Sequence, residues 1–335
     1  MTLADPIRFL GALAFWPLCL LGFAALVLAL ALAAPLSRPP MLASIHETAS
    51  AVDRSDMPDV SRLQVRDGAY IAYRFYPARA LADGRQGSPR IAILAHGSSA
   101  SSEAMHALAR ALAENGIAAY ALDMRGHGQS GTRGDIAYIG QLDDDLADFV
   151  AFLRKSDPDA RLLLIGHSSG GGFALHIAGS ALQSQFARIV LLAPYLGYDA
   201  PSSRPDAGGW ARPDIPRILA LSALRGIGVD CCSSLPVLAF ATAPNSQSIL
   251  TSVYSYRLMR NYATNDYRGD FANASTPVVL FAGADDELMD SSRYAEAIKG
   301  FESKIALHTI PGVNHMAMVS GEAALSAIVA DAAAN

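Results

Sequence analysis

The stretch Arg161-Leu162-Leu163-Leu164-Ile165-Gly166-His167-Ser168-Ser169-Gly170-Gly171-Gly172 decides how the chain is read. An apolar run, Leu162 to Ile165, ends in Gly166-His167-Ser168-Ser169-Gly170, and a small-residue segment with helical potential, Phe173 to Leu182, follows. The order predicts strand, sharp turn, helix. A Gly-x-Ser-x-Gly turn in that setting is a nucleophile elbow. The turn is so tight that a side chain at position 166 or 170 would meet neighbouring backbone, and it lifts the Ser168 hydroxyl off the sheet. The helix behind it points unpaired N–H groups and partial positive charge at the same place. The competing reading is a Gly/Ser-rich turn of an ordinary strand–helix unit, and the rest of the chain chooses between them.

Around the elbow, apolar strands alternate with helical patterns. Arg90–Ala95, Ile117–Leu122, Arg161–Ile165, Arg188–Leu192, Pro277–Ala282 and Lys304–Ile310 read as strands. Glu103–Glu114, Leu142–Lys155, Ser291–Lys299 and Ala317–Ala334 read as helices, and Gln64–Val65 with Tyr70–Tyr73 flank an Asp67-Gly68 hairpin turn. The strands are apolar throughout, not at every second residue, which is the pattern of a mostly parallel sheet covered on both faces. Ligand sites in such sheets lie beyond the carboxyl ends of the strands. Residues 61–196 and 275–335 form this core. Residues 197–274 break the alternation and are too long for a plain loop, so they are expected to be a mainly helical cap inserted over the strand ends. Leu219, Leu221, Leu224, Tyr254, Leu258 and Met259 are its candidates for an apolar pocket, or for the cap's own core.

With 335 residues, half of them apolar, and a net charge of −5, the chain can bury a sizeable core and shows no basic nucleic-acid footprint. Its three cysteines, Cys19, Cys231 and Cys232, make neither a disulfide framework nor a zinc pattern. The adjacent pair could close a vicinal disulfide, although two small loop residues is the simpler reading. Phe9 to Ala34 holds 26 residues without a charge, more than the roughly 20 that cross a hydrocarbon core as a helix. It is read as a single-pass membrane anchor at residues 9–34, with a cleaved signal peptide, and hence secretion, as the rival. Arg8 before it and Arg38 and Arg54 after it do not set an orientation. Residues 35–60 are expected to be a linker, with a short helix near Met41 to Ala51.

A serine hydroxyl needs a base, and the base needs an orienting acid. Pro311-Gly312-Val313-Asn314-His315 follows the last strand, and Ala282-Gly283-Ala284-Asp285-Asp286-Glu287 ends the one before it. Ser168, an Asp at 285, 286 or 290, and His315 thus arrive in the order Ser, acid, His. His127, in a glycine-rich loop, is the rival base, and His315 is preferred on chain order. A tetrahedral oxyanion needs two N–H donors. These are expected from Ser169, at the head of the elbow helix, and from Ser98, in His96-Gly97-Ser98-Ser99 after an earlier strand, which makes His96 structural. Asp143-Asp144-Asp145 looks like a metal cluster, but carboxylates in a first helical turn suit the helix dipole.

At this point the chain resembles the α/β-hydrolase superfamily, in particular the lysophospholipase, monoacylglycerol lipase and serine aminopeptidase-like group. His96-Gly97, Asp123-Met124-Arg125-Gly126-His127-Gly128-Gln129-Ser130, Gly166-His167-Ser168-Ser169-Gly170, Gly283-Ala284-Asp285-Asp286 and Asn314-His315 carry the resemblance over about 220 residues. It implies an α/β-hydrolase fold, places the acid at the fourth position of Gly-x-x-Asp, which is Asp286, and gives the Asp123–Ser130 loop no catalytic role. Ser169 departs from the apolar residue often found after the nucleophile. The N-terminal segment lies outside the resemblance. No metal or organic cofactor is implied.

The leading expectation is a membrane-anchored serine hydrolase of acyl esters, lipid-like in substrate, such as a lysophospholipid or monoacylglycerol. An aminopeptidase-like amide hydrolase is the second reading. It would need cap carboxylates to hold an amine, from among Asp199, Asp206, Asp214, Asp230, Asp266 and Asp270. A non-catalytic binding protein on the same fold is the third.

Overall fold

A computed structural model describes residues 6–80, 89–242 and 249–334, with side chains from Phe15 onward. Positions 81–88 and 243–248, the latter within the expected cap, lie outside the described residues, as do 1–5 and 335.

The strands are β1 (Val60–Gln64), β2 (Tyr70–Tyr76), β3 (Arg90–Ala95), β4 (Ala118–Leu122), β5 (Arg161–His167), β6 (Arg188–Leu192), β7 (Ala211–Pro213), β8 (Pro236–Phe240), β9 (Val253–Ser255), β10 (Val278–Gly283) and β11 (Ile305–Ile310). The helices are α1 (Pro6–Ala33), α2 (Ala43–Ser50), α3 (His106–Glu114), α4 (Gln141–Ser156), α5 (Ser169–Gly179), α6 (Ile215–Gly226), α7 (Tyr256–Asn261), α8 (Tyr267–Asn273), α9 (Tyr294–Ala297) and α10 (Glu322–Ala334). An eight-stranded sheet runs in the order β1-β2-β4-β3-β5-β6-β10-β11. The β1–β2 and β2–β4 pairs are antiparallel, and every pair from β4 to β11 is parallel. This is the α/β-hydrolase fold.

Why the strands carry no alternation is visible in the packing. Leu162 and Leu164 of β5 face one core with Ile91, Ile93, Phe149 and Phe173, while Leu163 and Ile165 face the other with Leu94, Leu108, Leu112 and Ile328. Successive side chains point to opposite faces, and both faces are dry. The hairpin forms as expected, with Gln64 opposite Tyr70 and Gly68 at φ 81° in the turn.

Three expectations are revised. Between β6 and β10 the helices α6, α7 and α8 appear, but so does an antiparallel sheet β7-β8-β9. Its central strand is the apolar run Pro236–Phe240, whose Pro236 sits at the first strand position, where a missing N–H is tolerated. The terminal helix begins only at Glu322, because Gly321 separates it from a 3-10 turn at Ala317–Val319.

Residues 35–60 hold the expected short helix, α2, but it packs against the domain and is more than a linker. Leu42, Ile45, Ala49 and Val52 fall on one helical face, and Ile45 is buried in the core. Arg54 Nη2 donates to Ala49 O at 2.8 Å and its Nη1 to Val52 O at 3.1 Å, which satisfies carbonyls at the end of α2. Asp56 accepts from His106 Nε2 at 3.1 Å and pairs with Arg110.

The window Phe15–Ala33 of α1 has mean hydropathy 2.4 and no buried residue, so by length and composition it is able to cross a membrane. Leu32 at its end packs with Leu221, Val237 and Tyr256, and Arg217 on α6 donates to Ala34 O. Cys231 and Cys232 are free thiols with their sulfurs 2.8 Å apart.

Candidate active site

Because β3, β5, β10 and β11 run parallel, their carboxyl ends deliver His96–Ser98, Ser168, Asp286 and His315 to one edge of the sheet. Ser168 stands between β5 and α5 at φ 55°, ψ −118°, a left-handed backbone rare for a residue with a Cβ. The glycines on either side are steric necessities. A Cβ on Gly166 would lie 2.0 Å from Gly170 O, and one on Gly170 would lie 2.4 Å from His96 O and 2.5 Å from Ala95 O. The surrounding backbone therefore holds the strained serine in place.

His315 Nδ1 lies 2.9 Å from Asp286 Oδ2, and both side chains are buried. The other carboxylate oxygen, Oδ1, accepts the backbone N–H groups of Leu288 and Met289, each at 2.8 Å. Burial is the largest single influence on Asp286 and opposes its ionisation. His315 and the two amides outweigh it and hold the carboxyl below the usual range. A carboxylate facing Nδ1 places the ring proton there and leaves Nε2 as the basic nitrogen. The loop is fastened twice more: His315 N–H donates to Glu287 Oε2 at 3.0 Å, and His167 Nε2 donates to His315 O at 3.0 Å. That bond fixes the His167 proton on Nε2, and burial, then neighbouring His315, pushes its pKa down to about 3.

The alternatives separate by geometry. Asp285 is exposed, its N–H bound to Val313 O. Asp290 accepts from Ser292 Oγ at 2.6 Å. His127 is buried with both nitrogens engaged: Nδ1 faces the carbonyls of Met124 and Arg125, and Nε2 accepts the Tyr254 hydroxyl proton. Burial and nearby His96 push its pKa far down, so it stays a neutral structural ring. His96 accepts Met124 N–H on Nε2 at 3.1 Å and turns Nδ1 to Gly97 O at 2.7 Å. Tyr254 O in turn accepts Ser99 N–H at 2.9 Å, and Thr251 N–H donates to Ser99 O at 2.8 Å. The residues just before and within β9 thus clamp the loop after β3. Sequence reading missed this role of Tyr254, because the contact spans 155 residues of chain.

Ser169 N–H heads α5, among the first amides that a helix leaves without an internal acceptor. The Ser98 loop crosses directly over the elbow, where a Cβ on Gly97 would lie 3.2 Å from Ser168 Cβ. Trp210 Nε1 donates to Ser98 Oγ at 2.9 Å. Ser168, His315, Ser98, Gly97 and His167 share one cavity of about 30 Å³, further lined by Ile45, Ala100, Ala104, Trp210, Leu288 and Met316. None of the six apolar residues named for the cap pocket lines it. Leu221 packs with Val237 and Tyr256, Tyr254 and Leu258 belong to the main core, and Leu219 is exposed.

The acidic run resolves into separate pairs. Asp143 bonds His176, Asp144 bonds Arg66, and Asp145 bonds Arg125 at 2.7 Å. Of the insertion's carboxylates, Asp214 and Asp266 cap helices α6 and α8, Asp230 binds Arg225, and Asp270 accepts from Thr264. Among the described residues none of the six lines the Ser168 cavity.

The profile of the Hydrolase_4 family, described as serine aminopeptidase S33, matches residues 87–322. Monoacylglycerol lipase of Mycolicibacterium smegmatis is 30% identical over 105 residues, which cover 31% of this chain and 37% of that enzyme. Monoglyceride lipase of Homo sapiens is 29% identical over 157 residues, 46% of this chain and 48% of that enzyme. The chain thus spans less than half the length of the curated relatives it matches. Among solved structures, a soluble variant of monoglyceride lipase from Saccharomyces cerevisiae superposes with a TM-score of 0.61 at 17% identity, covering 83% of this chain and 94% of that one. At that identity the likeness shows the fold.

Proposed function

We propose, from the premise that the chain belongs to the Hydrolase_4 (serine aminopeptidase S33) family of α/β-hydrolases, that it is a serine hydrolase of carboxylic esters with lipid-like acyl groups. One observation carries the reading: His315, 2.9 Å from buried Asp286, lines the same apolar-walled cavity as the strained Ser168 elbow. His315 Nε2 takes the Ser168 proton as Oγ attacks the ester carbonyl. Asp286 keeps the imidazole proton on Nδ1 and stabilises the imidazolium. The backbone N–H groups of Ser98 and Ser169 receive the developing oxyanion. The imidazolium protonates the leaving alcohol, an acyl-enzyme remains, and water, activated by the same histidine, releases the acid.

The ester reading is favoured over an aminopeptidase by the walls of the cavity. Trp210, Leu288, Met316 and Ile45 suit an acyl chain, and among the described residues no carboxylate lines the cavity to hold a substrate amine. The monoacylglycerol lipases among the relatives point the same way. Residues 197–274 act as the cap over this site. We read α1 as a membrane anchor that keeps the site near a source of acyl lipids, its exposed apolar surface being costly in water.

Labelling of the membrane fraction with a fluorophosphonate probe, wild type against Ser168→Ala, tests the nucleophile. A band at about 35 kDa that vanishes in the variant is the expected result. A folded wild-type protein that labels with no probe size refutes serine chemistry and leaves the binding-protein reading. Acyl esters compared with aminoacyl amides then separate esterase from aminopeptidase, and alkaline carbonate extraction separates an anchor from a cleaved signal.

A further inference from the structure

The family match begins at residue 87, yet one wall of the Ser168 cavity comes from α2, more than thirty residues upstream. Ile45 is buried and shares the cavity with Ser98, Ser168, Trp210 and His315. The opposite face of α2, His46 and Glu47, is exposed. The helix is tied at both ends to the two sides of the site. Leu42 N–H donates to Ala241 O, just past β8, at 3.4 Å. Asn314 Nδ2, on the residue before His315, donates to Thr48 Oγ1 at 3.3 Å. The helix is therefore a strap between the cap and the histidine loop.

The cavity of about 30 Å³ is far smaller than the roughly 300–1,000 Å³ of a pocket that encloses a ligand of acyl-chain size. A chain must displace a wall, and most walls are bonded to reacting groups. Trp210 holds the Ser98 hydroxyl, Leu288 donates its N–H to Asp286, Met316 adjoins His315, and Gly97 packs on Ser168. Moving any of these disturbs the machinery. Of the remaining walls, Ala100 and Ala104 have only a methyl each to withdraw, whereas Ile45 brings a larger aliphatic side chain on a strap tied to the cap and the histidine loop by two long hydrogen bonds, so it is the wall that gives. We propose that α2 forms one wall of the acyl-binding pocket and that Ile45 sets the acyl length the enzyme accepts. This rests on the ester-hydrolase reading.

The test is a series of p-nitrophenyl esters from acetate to dodecanoate on the full-length, detergent-solubilised protein, read as the ratio of kcat/KM for octanoate to that for butyrate. Removing about three carbons with Ile45→Ala raises the ratio about tenfold or more, and filling the space with Ile45→Phe lowers it by a similar factor. The surface variant Glu47→Ala keeps the wild-type ratio. Opposite shifts from one position are not what a merely structural role produces, since lost packing lowers both rates alike. If Ile45→Ala does not fold, Ile45→Val against Ile45→Phe carries the same comparison. A ratio within twofold of wild type in every folded Ile45 variant, with the wild type active, overturns the proposal alone. A wild type inert towards every ester and unlabelled by fluorophosphonate overturns the parent reading and this one with it.

Discussion

Replacing Asp286 with Asn is the sharpest test of the arrangement at His315, because the structure dictates which way the amide must turn. The Oδ1 position receives two N–H groups, from Leu288 and Met289, at 2.8 Å each. Two donors require an acceptor, so the Asn oxygen stays there and its NH₂ group faces His315 Nδ1. That nitrogen, 2.9 Å away in the wild type, must then accept a hydrogen bond, which moves the ring proton to Nε2. The base is protonated on the side where it should take the Ser168 proton. A misplaced tautomer of this kind costs about 10⁴ in kcat, or about 5 kcal/mol of transition-state stabilisation. Stability should fall far less, by on the order of 1–2 kcal/mol, because both amide bonds persist and only their charge assistance is lost. The assay is kcat for p-nitrophenyl butyrate beside urea denaturation, with Asp285→Asn as the comparison. The expected result is a folded, nearly inert Asp286→Asn and an active Asp285→Asn. Activity of Asp286→Asn within tenfold of wild type would refute the reasoning.

Three further outcomes are expected. Gly170→Ala drives a methyl against two carbonyl oxygens that belong to backbone and cannot swing away. It should cost about 3 kcal/mol or more, seen as loss of soluble protein or a large drop in the urea midpoint. Tyr254→Phe leaves the buried Ser99 N–H and His127 Nε2 without partners. It should cost about 2–4 kcal/mol in urea denaturation and lower kcat by loosening the loop that carries Ser98. His176 is held above its ordinary pKa of 6.5 chiefly by its hydrogen bond to Asp143, against partial burial. Its stabilisation is fully present below pH 6.5 and is lost as pH rises through the raised folded value. The pair is partly exposed, so the effect is at most about 1 kcal/mol. A pH series of Tm from 6 to 9 should decline more steeply in the wild type than in His176→Gln, and parallel curves would contradict it.

The parts of the site that were legible from sequence are those made locally. Gly166-His167-Ser168-Ser169-Gly170 states its own turn, because the crowding that forbids side chains at 166 and 170 comes from residues on the same strand–turn–helix unit and the strand beside it. The apolar runs of β3, β5, β6 and β10 announce a sheet buried on both faces, and the sheet explains why Ser168, Asp286 and His315 reach the same edge although the last lies 147 positions after the first. Local pattern did less well in the insertion. Pro236–Phe240 is only five residues long, and an apolar run that short does not declare whether it is strand or helix. Its partners, β7 and β9, have three residues each and acquire their conformation from pairing.

By itself, the sequence determined the fold class, the tight turn that carries Ser168 and the place of His315 after the last strand, since each is written in consecutive residues with a steric or periodic reason. Only the tertiary structure decided between Asp285 and Asp286 on geometry. Neighbouring side chains at a strand end diverge, and burial beside two amides selects one of them. It alone turned His127 from a rival base into a buried strut, because its partner Tyr254 lies 127 residues away. And it alone made Ile45 a wall of the site: a lone isoleucine on a two-turn helix carries no signal until a strap bonded to the cap and to Asn314 holds it over Ser168.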